Sequence, residues 1–223
     1  MSWAERPLLI QTDAGPLSAD LTLPDGACAL LVLAHGAGAG YRHANMLAIS
    51  TALAHNGIAS LRFNFPFTEQ GRRRVDGPAV ATRAVADAWS AGMGLDLGLP
   101  GFLGGHSFGG RMASHAVLEH GLTPRGLVFC AFPLHPAGKP GTDRAQHLAR
   151  LCCPLLFLSG TRDALASPAL LSDCVAALGP GAHLHWLEDA DHGYRVRKRQ
   201  RTDPRSVFEE MGEEVRRFVL SAL

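Results

Sequence analysis

A chain of 223 residues that is 47% hydrophobic is long enough to bury one substantial core, so we expect a single domain over residues 1–223. Its 21 lysines and arginines nearly balance 20 aspartates and glutamates, and the formal net charge of +1 gives no global field for nucleic acid, membranes or acidic substrates. The N-terminus lacks the pattern of a signal peptide, and no apolar run approaches the roughly 20 residues that cross a bilayer. We therefore expect a soluble protein with no nucleic-acid or membrane partner, while the oligomeric state stays open.

Short apolar runs alternate with helical patterns from residue 28 onward, which is typical of an α/β protein with a mostly parallel central sheet and helices on both faces. Segments 8–11 and 17–23 come first and are expected to form an antiparallel edge pair. The later strands are predicted at 29–34, 58–63, 102–104, 126–131, 155–158 and 183–187. Helices are predicted at 44–55, 79–90, 108–120, 168–178 and 206–220. Irregular loops are expected at 65–78 and 133–143, each too short to form a lid domain.

The strongest chemical signal is a GxSxG motif that runs from Gly105 to Gly109 and has Ser107 at its centre. It follows an apolar strand and precedes a predicted helix, which is the context of a nucleophile elbow. A serine on such a turn has strained backbone geometry, and the flanking residues must be small because strand and helix approach closely. We therefore predict that Ser107 is a catalytic nucleophile.

A serine nucleophile needs a base and an acid that orients the base. His192 lies just beyond the last predicted strand, where the chain order of serine, acid and histidine in α/β-hydrolases puts the base. Asp163 follows the strand predicted at 155–158 and is the expected acid. Asp189 and Asp191 are the competitors, although their closeness to His192 in sequence makes the reach back to its ring awkward.

An oxyanion hole is predicted from the backbone N–H groups of Ala37 and Phe108, with the Gly38 N–H as an alternative donor. Ala37 lies in a His-Gly-Ala-Gly run that follows the first central strand, and glycines let a backbone turn its donors inward. The run lacks the spacing of a nucleotide-binding loop. Because no zinc-ligand spacing is present, we expect neither a cofactor nor a metal.

These motifs resemble the serine α/β-hydrolases, and the size of the chain resembles the small, lidless members that are similar to dienelactone hydrolases. Segments 61–67, 71–74, 110–114 and 133–140 are similar to a branch that contains bacterial hydrolases and hydrolase-like testis-expressed and NSL-complex subunit proteins. The resemblance runs from about residue 28 to 195 and implies a serine hydrolase without naming its substrate. Dienelactone hydrolases proper use a cysteine, where this chain has Ser107.

The expected reaction is cleavage of a small carboxylic ester or thioester through an acyl-enzyme on Ser107, as in a carboxylesterase or thioesterase. A non-catalytic binding or scaffold protein that keeps the hydrolase fold is the alternative from another class. Haloperoxidase-like or carbon–carbon bond chemistry on the same residues is a further possibility. The basic residues that follow His192, from Arg195 to Arg205, are expected to form a solvated face, or else an anion-attracting rim together with Arg72 to Arg74.

The five cysteines, an odd number without a CxxC pair, are expected to be free thiols. Cys28 and Cys130 lie in apolar runs typical of buried strands, where a thiol behaves as a small hydrophobe. Cys152 and Cys153 are adjacent, which suits neither a relaxed disulfide nor a metal site. Free thiols favour a reducing compartment, so a cytoplasmic location is predicted.

Overall fold

The protein is described from a computed structural model that covers residues 2–197 and 201–223. Its strands are β1 (Trp3–Ile10), β2 (Leu17–Pro24), β3 (Ala29–Ala34), β4 (Ile58–Phe63), β5 (Gly101–His106), β6 (Leu127–Cys130), β7 (Leu155–Gly160) and β8 (Ala182–Leu187). They form one sheet in the order β1-β2-β4-β3-β5-β6-β7-β8. The first two strands pair antiparallel and β2 joins β4 antiparallel, whereas all later pairs are parallel. The predicted edge pair and the mostly parallel sheet are therefore confirmed.

The helices are α1 (Ala44–His55), α2 (Pro66–Glu69), α3 (Pro78–Met93), α4 (Phe108–His120), α5 (Pro168–Ala177) and α6 (Val207–Ser221). All five predicted helices are present, with bounds that differ by at most three residues. The prediction that 65–78 is wholly irregular was wrong, because α2 forms there. Pro66 at its first position fixes a helical φ, and Asp76 accepts a hydrogen bond from the Phe67 N–H at 2.9 Å. A 3₁₀ helix, Asp143–Arg150, was also not predicted.

The helices cover both faces of the sheet. On one face, α1 and α6 pack together over a cluster that includes Met46, Leu53, Met211 and Val215. On the other face, α3, α4 and α5 pack over the larger cluster, and α3 also packs against α4. Because β3 to β7 are covered on both sides, nearly all of their residues are buried, which explains why they are continuous apolar runs rather than alternating ones.

The parallel strands direct their carboxyl ends to one edge of the sheet, and the loops that leave that edge carry the motifs. Loops that follow β3, β5, β7 and β8 contain the glycine run, the elbow, Asp163 and His192 in turn. Parallel sheets bind ligands at this edge because the loops there converge. In the part of the chain that the structure describes, no further domain is inserted among these loops, in keeping with the expected lidless fold.

Candidate active site

Ser107 lies on a tight turn between β5 and α4, with φ 51° and ψ −116°. A Cβ atom added to Gly105 would lie 2.5 Å from the Ala34 carbonyl oxygen, and one added to Gly109 would lie 2.3 Å from the same oxygen. No side chain fits at such distances. The small residues of the motif are therefore required by the approach of β3 to the elbow, as the sequence indicated.

His192 stands between the serine and an aspartate. Its Nε2 lies 2.8 Å from Ser107 Oγ, and its Nδ1 lies 2.8 Å from Asp163 Oδ2 and 3.0 Å from Oδ1. The Asp163 side chain is fully buried, and its Oδ1 also accepts a hydrogen bond from the Leu165 N–H. Because an ionised carboxylate only accepts hydrogen bonds, Nδ1 carries the proton and Nε2 is left to accept the Ser107 hydroxyl proton.

The competing aspartates are engaged elsewhere. Asp189 accepts hydrogen bonds from the Arg197 backbone and guanidinium, and Arg197 lowers the pKa of this carboxyl. Asp191 Oδ1 accepts the N–H groups of Gly193 at 2.8 Å and Arg195 at 2.9 Å. The contact with the imidazole of His192 is therefore made by Asp163, and its two competitors stabilise the loop that carries this histidine.

The loops of Asp163 and His192 are joined by contacts that the sequence did not reveal. Gly160 ends β7 so close to the second loop that an added Cβ would lie 2.2 Å from the Ala190 carbonyl oxygen. The Arg162 N–H donates to that oxygen at 2.9 Å, and the Asp189 N–H donates to Thr161 Oγ1 at 2.9 Å. The only signal of this close approach in the sequence is the glycine of the Ser-Gly-Thr-Arg-Asp run.

The predicted oxyanion donors belong to the two loops that meet at Ser107. Phe108 is the first residue of α4, so its N–H has no partner within the helix. Ala37 and Gly38 line the same cavity as Ser107, and a Cβ added to Gly36 would lie 3.6 Å from Ser107 Cβ. This arrangement brings the glycine run against the serine and leaves Gly38 as the alternative donor.

His35 fixes the start of the glycine run. Its Nε2 accepts the Phe65 N–H at 3.1 Å, so Nδ1 carries the proton and donates it to the Gly36 carbonyl oxygen at 2.8 Å. Burial lowers the pKa of His35 to about 4, which keeps the imidazole neutral. The neutral ring thereby connects the glycine run to the segment before α2.

Three residues that the sequence did not assign also hold His192 in place. His106 Nε2 donates to the His192 carbonyl oxygen at 3.1 Å, and burial lowers the pKa of His106 to about 4. Asn45 Nδ2 donates from α1 to the Gly193 carbonyl oxygen at 2.9 Å. Tyr194 is buried with φ 62°, and its hydroxyl donates to the Leu158 carbonyl oxygen at 3.2 Å.

A cavity of about 620 Å³ opens beside Ser107 and His192. Arg162 and Arg195 are the arginines in its wall, so one member of the basic stretch reaches it.

Three other members of the basic stretch make ion pairs instead: Arg197 with Asp189, Arg201 with Glu210, and Arg205 with Asp203 and Glu213. Lys198 and Arg199 lie outside the described residues, and none of Arg72 to Arg74 lines the cavity. The proposed rim is thus reduced to Arg195 with Arg162.

A model of the alpha/beta hydrolase domain matches residues 27–220, which is most of the chain. The chain belongs to this family. Resemblance to the superfamily is thereby confirmed, while the narrower branch around the testis-expressed proteins stays a prediction.

Solved structures share the fold of this α/β hydrolase. A dienelactone hydrolase from Anabaena variabilis superimposes with a TM-score of 0.76 at 19% identity, covering 99% of both chains. The esterase Est1E from Butyrivibrio proteoclasticus, solved with ferulic acid bound, gives 0.75 at 16% identity, covering 96% of this chain and 98% of that one. A serine hydrolase without a lid from Xanthomonas campestris gives 0.67 at 18% identity, covering 100% and 94%. These likenesses establish the fold alone.

Metal ligands and membrane-spanning helices were sought in the described residues of this α/β hydrolase. Within residues 2–197 and 201–223, no three His, Cys, Asp or Glu side chains gather as metal ligands would. Among those same residues, none of the helices has the length and apolar character that a membrane crossing requires.

Proposed function

We propose that this hydrolase cleaves a small carboxylic ester or thioester through an acyl-enzyme on Ser107. The observation that carries the proposal is the unbroken chain of contacts from Ser107 Oγ to His192 Nε2 at 2.8 Å and from His192 Nδ1 to Asp163 Oδ2 at 2.8 Å. Serine is a weak nucleophile near neutral pH and attacks a carbonyl only when a positioned base removes its proton. This geometry supplies the base and holds it in the required tautomer.

In the first half of the reaction, Ser107 Oγ bonds to the substrate carbonyl carbon while its proton passes to His192 Nε2. The carbonyl oxygen becomes an oxyanion and accepts the N–H groups of Phe108 and Ala37, next to the positive end of the α4 dipole. Asp163 stabilises the imidazolium. The bond to the leaving oxygen or sulfur then breaks, and His192 gives that atom its proton.

In the second half, His192 takes a proton from water while the water oxygen bonds to the acyl carbon. The tetrahedral intermediate collapses, the bond to Ser107 Oγ breaks, and the proton returns to that oxygen. The carboxylic acid leaves and the serine is regenerated. Because atoms and charge balance within the triad and water, the reaction needs no cofactor.

The cavity supports a small substrate. Its volume of about 620 Å³ falls within the range of roughly 300 to 1,000 Å³ that is typical of sites for small molecules. The absence of an inserted lid in the described residues leaves it open at the mouth. A cytoplasmic location belongs to the same proposal and rests on five cysteines that are all free.

Replacing Ser107 is the direct test. The wild-type protein is expected to react with a fluorophosphonate probe and to hydrolyse short-chain p-nitrophenyl esters, and Ser107→Ala is expected to lose both. Ser167→Ala is the matched control, because Ser167 precedes α5 without a side-chain capping bond and lies outside the cavity. It should be labelled normally.

Two outcomes would contradict the proposal. Labelling that persists in Ser107→Ala would assign the nucleophile to another residue. A folded wild-type protein that neither reacts with the probe nor hydrolyses short or long p-nitrophenyl esters or acyl-CoA thioesters would favour the non-catalytic binding protein. The same substrate panel distinguishes esterase from thioesterase activity.

A further inference from the structure

A second polar cluster lies away from the cavity, where α4 packs against the 3₁₀ helix. It contains Arg111 and His115 from α4 and Arg144, His147 and Arg150 from the 3₁₀ helix, and we call it the seam cluster. None of the five residues lines the cavity beside Ser107. Arg111 and Ser114 belong to segment 110–114, which the reaction proposed above does not use.

The arginines of the seam cluster make no ion pairs in the part of the chain that the structure describes. Within the described residues, neither Arg111, Arg144 nor Arg150 makes an ion pair with a carboxylate. The Nε atom of Arg111 is buried and has no hydrogen-bond partner in the same part of the chain. A buried donor left unpaired costs free energy, and such a group often marks a site for water or an ion.

The charges next to Arg111 do not neutralise its guanidinium group. Burial and then the charge of Arg144 lower the pKa of Arg111. Two carboxylates are close in the chain: Glu119 acts on His115, but its Oε2 already accepts the Thr82 hydroxyl at 2.7 Å. Asp143 begins the 3₁₀ helix, and its Oδ1 accepts a hydrogen bond from Gln146 Nε2 at 3.2 Å. In the described part of the chain, neither carboxylate forms an ion pair with Arg111, Arg144 or Arg150, so the seam cluster keeps an excess of positive charge.

Two histidines are held in a fixed geometry within this field. The rings of His115 and His147 stack with centroids 3.8 Å apart and an angle of 13° between planes. His147 Nε2 lies 2.7 Å from Ser114 Oγ, which in turn donates to the Arg111 carbonyl oxygen at 2.7 Å. Since the hydroxyl has one proton, His147 Nε2 is the donor of their shared bond. Burial and the adjacent cations lower the pKa of His147 to about 4, and a bound anion would reverse the second effect.

We propose that the seam cluster binds a phosphate-type oxyanion. Guanidinium groups suit this ligand because their planar N–H donors match its oxygens, and the charge of a phosphate offsets several cations at once. The free Nε of Arg111 supplies an inner donor, while Arg144 and Arg150 supply charge from the 3₁₀ helix. The site is separate from the proposed esterase reaction and does not depend on it.

The test is a titration of the full-length protein with inorganic phosphate, with ionic strength held constant by sodium chloride. The imidazole C–H resonances of His115 and His147, assigned by single histidine-to-asparagine variants, are expected to shift along a saturable curve. Arg111→Gln is expected to weaken phosphate binding roughly tenfold or more, as loss of a charge-assisted hydrogen bond does. Phenyl phosphate in a parallel titration shows whether a phosphate group on a small organic molecule is bound as well as the free ion.

Matched variants decide between this site and others. Arg125→Gln removes the same charge from an exposed position outside the cluster and should leave the affinity unchanged. Arg195→Gln tests the cavity beside Ser107 and should also have no effect. Should Arg111→Gln fail to fold, the exposed Arg150→Gln must weaken binding instead. A flat titration, as expected for a cluster that holds only water, would overturn the proposal. It would also be overturned if Arg111→Gln bound phosphate with the affinity of the wild-type protein, or if Arg195→Gln lost binding.

Discussion

Ser107 shares an uncommon backbone conformation with residues in the loops around it. Four of the five non-glycine residues with positive φ in the described chain follow the carboxyl ends of the parallel strands, namely Ser107 at 51°, Ala131 at 56°, Asp189 at 55° and Tyr194 at 62°. Such conformations cost of order 1 kcal/mol or more and persist only where surrounding packing enforces them. Their concentration here indicates that packing fixes the conformation of the loops around Ser107 and His192, as the proposed proton relay requires.

Replacement of Asp163 should impair the proposed chemistry while the fold persists. Asp163→Asn keeps the shape of the side chain but removes the charge that stabilises the imidazolium, so kcat should fall roughly 1,000 to 10,000-fold. Steady-state ester hydrolysis measures the effect. Asp191→Asn is the control, because its amide oxygen can still accept the N–H groups of Gly193 and Arg195, and a change of no more than a few-fold is expected. Equal losses in both variants would contradict the assignment.

The close approach of β3 to the elbow predicts a large effect of a single methyl group. An added Cβ at Gly109 would lie 2.3 Å from the Ala34 carbonyl oxygen, and backbone cannot yield as a flexible side chain can. Gly109→Ala should lower the free energy of unfolding by about 3 kcal/mol or prevent folding. Urea unfolding compares it with Gly141→Ala, whose Cβ meets nothing within 4 Å. Similar stability of the two variants would refute this explanation of the motif.

At the scale of elements, α6 holds the chain that returns from the His192 loop. Glu210 of α6 lies 2.7 Å from His185 Nε2 on β8 and also pairs with the Arg201 guanidinium. Arg201 Nη1 in turn donates to the Glu188 carbonyl oxygen at 3.1 Å. These partly buried contacts join β8, the segment after residue 200 and the helix, so the position of the loop depends on where α6 begins.

The start of α6 is fixed by a capping box. Ser206 Oγ accepts the Glu209 N–H at 3.2 Å, and Glu209 Oε2 accepts the Ser206 N–H at 2.7 Å. Ser206→Ala should therefore lower the free energy of unfolding by about 1 kcal/mol. Denaturant titration against Ser90→Ala, an exposed position inside α3, provides the comparison. Little difference between these variants would show that tertiary contacts alone define the start of α6.

At the scale of the whole molecule, three histidines are kept neutral by the fold. Burial lowers the pKa of His35, His106 and His147 from the ordinary 6.5 to about 4 in each. The neutral rings connect the glycine run, the His192 loop and the 3₁₀ helix to their neighbours. His35 follows β3, His106 ends β5 and His147 lies in the 3₁₀ helix, so their titration affects three separate parts of the fold.

Stability is expected to fall as the pH decreases from 6.5 toward 4. Below 6.5 the unfolded chain binds protons that the native histidines do not, so protonation favours the unfolded state. For the fully buried His35 the full effect is about 3 kcal/mol, since one pKa unit corresponds to about 1.4 kcal/mol. Urea unfolding between pH 7 and pH 5 avoids most carboxylate titration. His35→Asn should flatten the curve, whereas the surface variant His183→Asn should not; a pH-independent wild type would contradict the prediction.

Local chemistry in the sequence was sufficient to predict most of the fold and the candidate triad. Buried parallel strands must be apolar throughout, and an elbow that passes a neighbouring backbone must be flanked by glycine, so both features are visible in the order of residues. Chain order then singled out His192 and favoured Asp163. Pro66 was interpreted as a loop residue because a four-residue helix has no periodicity to detect.

Only the tertiary structure decided which residues far apart in the chain come into contact. The choice of Asp163 over Asp189 and Asp191 as the partner of the imidazole depends on Arg197 and on backbone N–H groups that occupy the other two carboxylates. The approach of Gly160 to Ala190, the clamp from Asn45, and the stacking of His115 on His147 likewise have no local signal. A sequence records which groups are present, whereas hydrogen bonds and pKa shifts depend on distance and burial, which arise only when the sheet brings its loops to one edge.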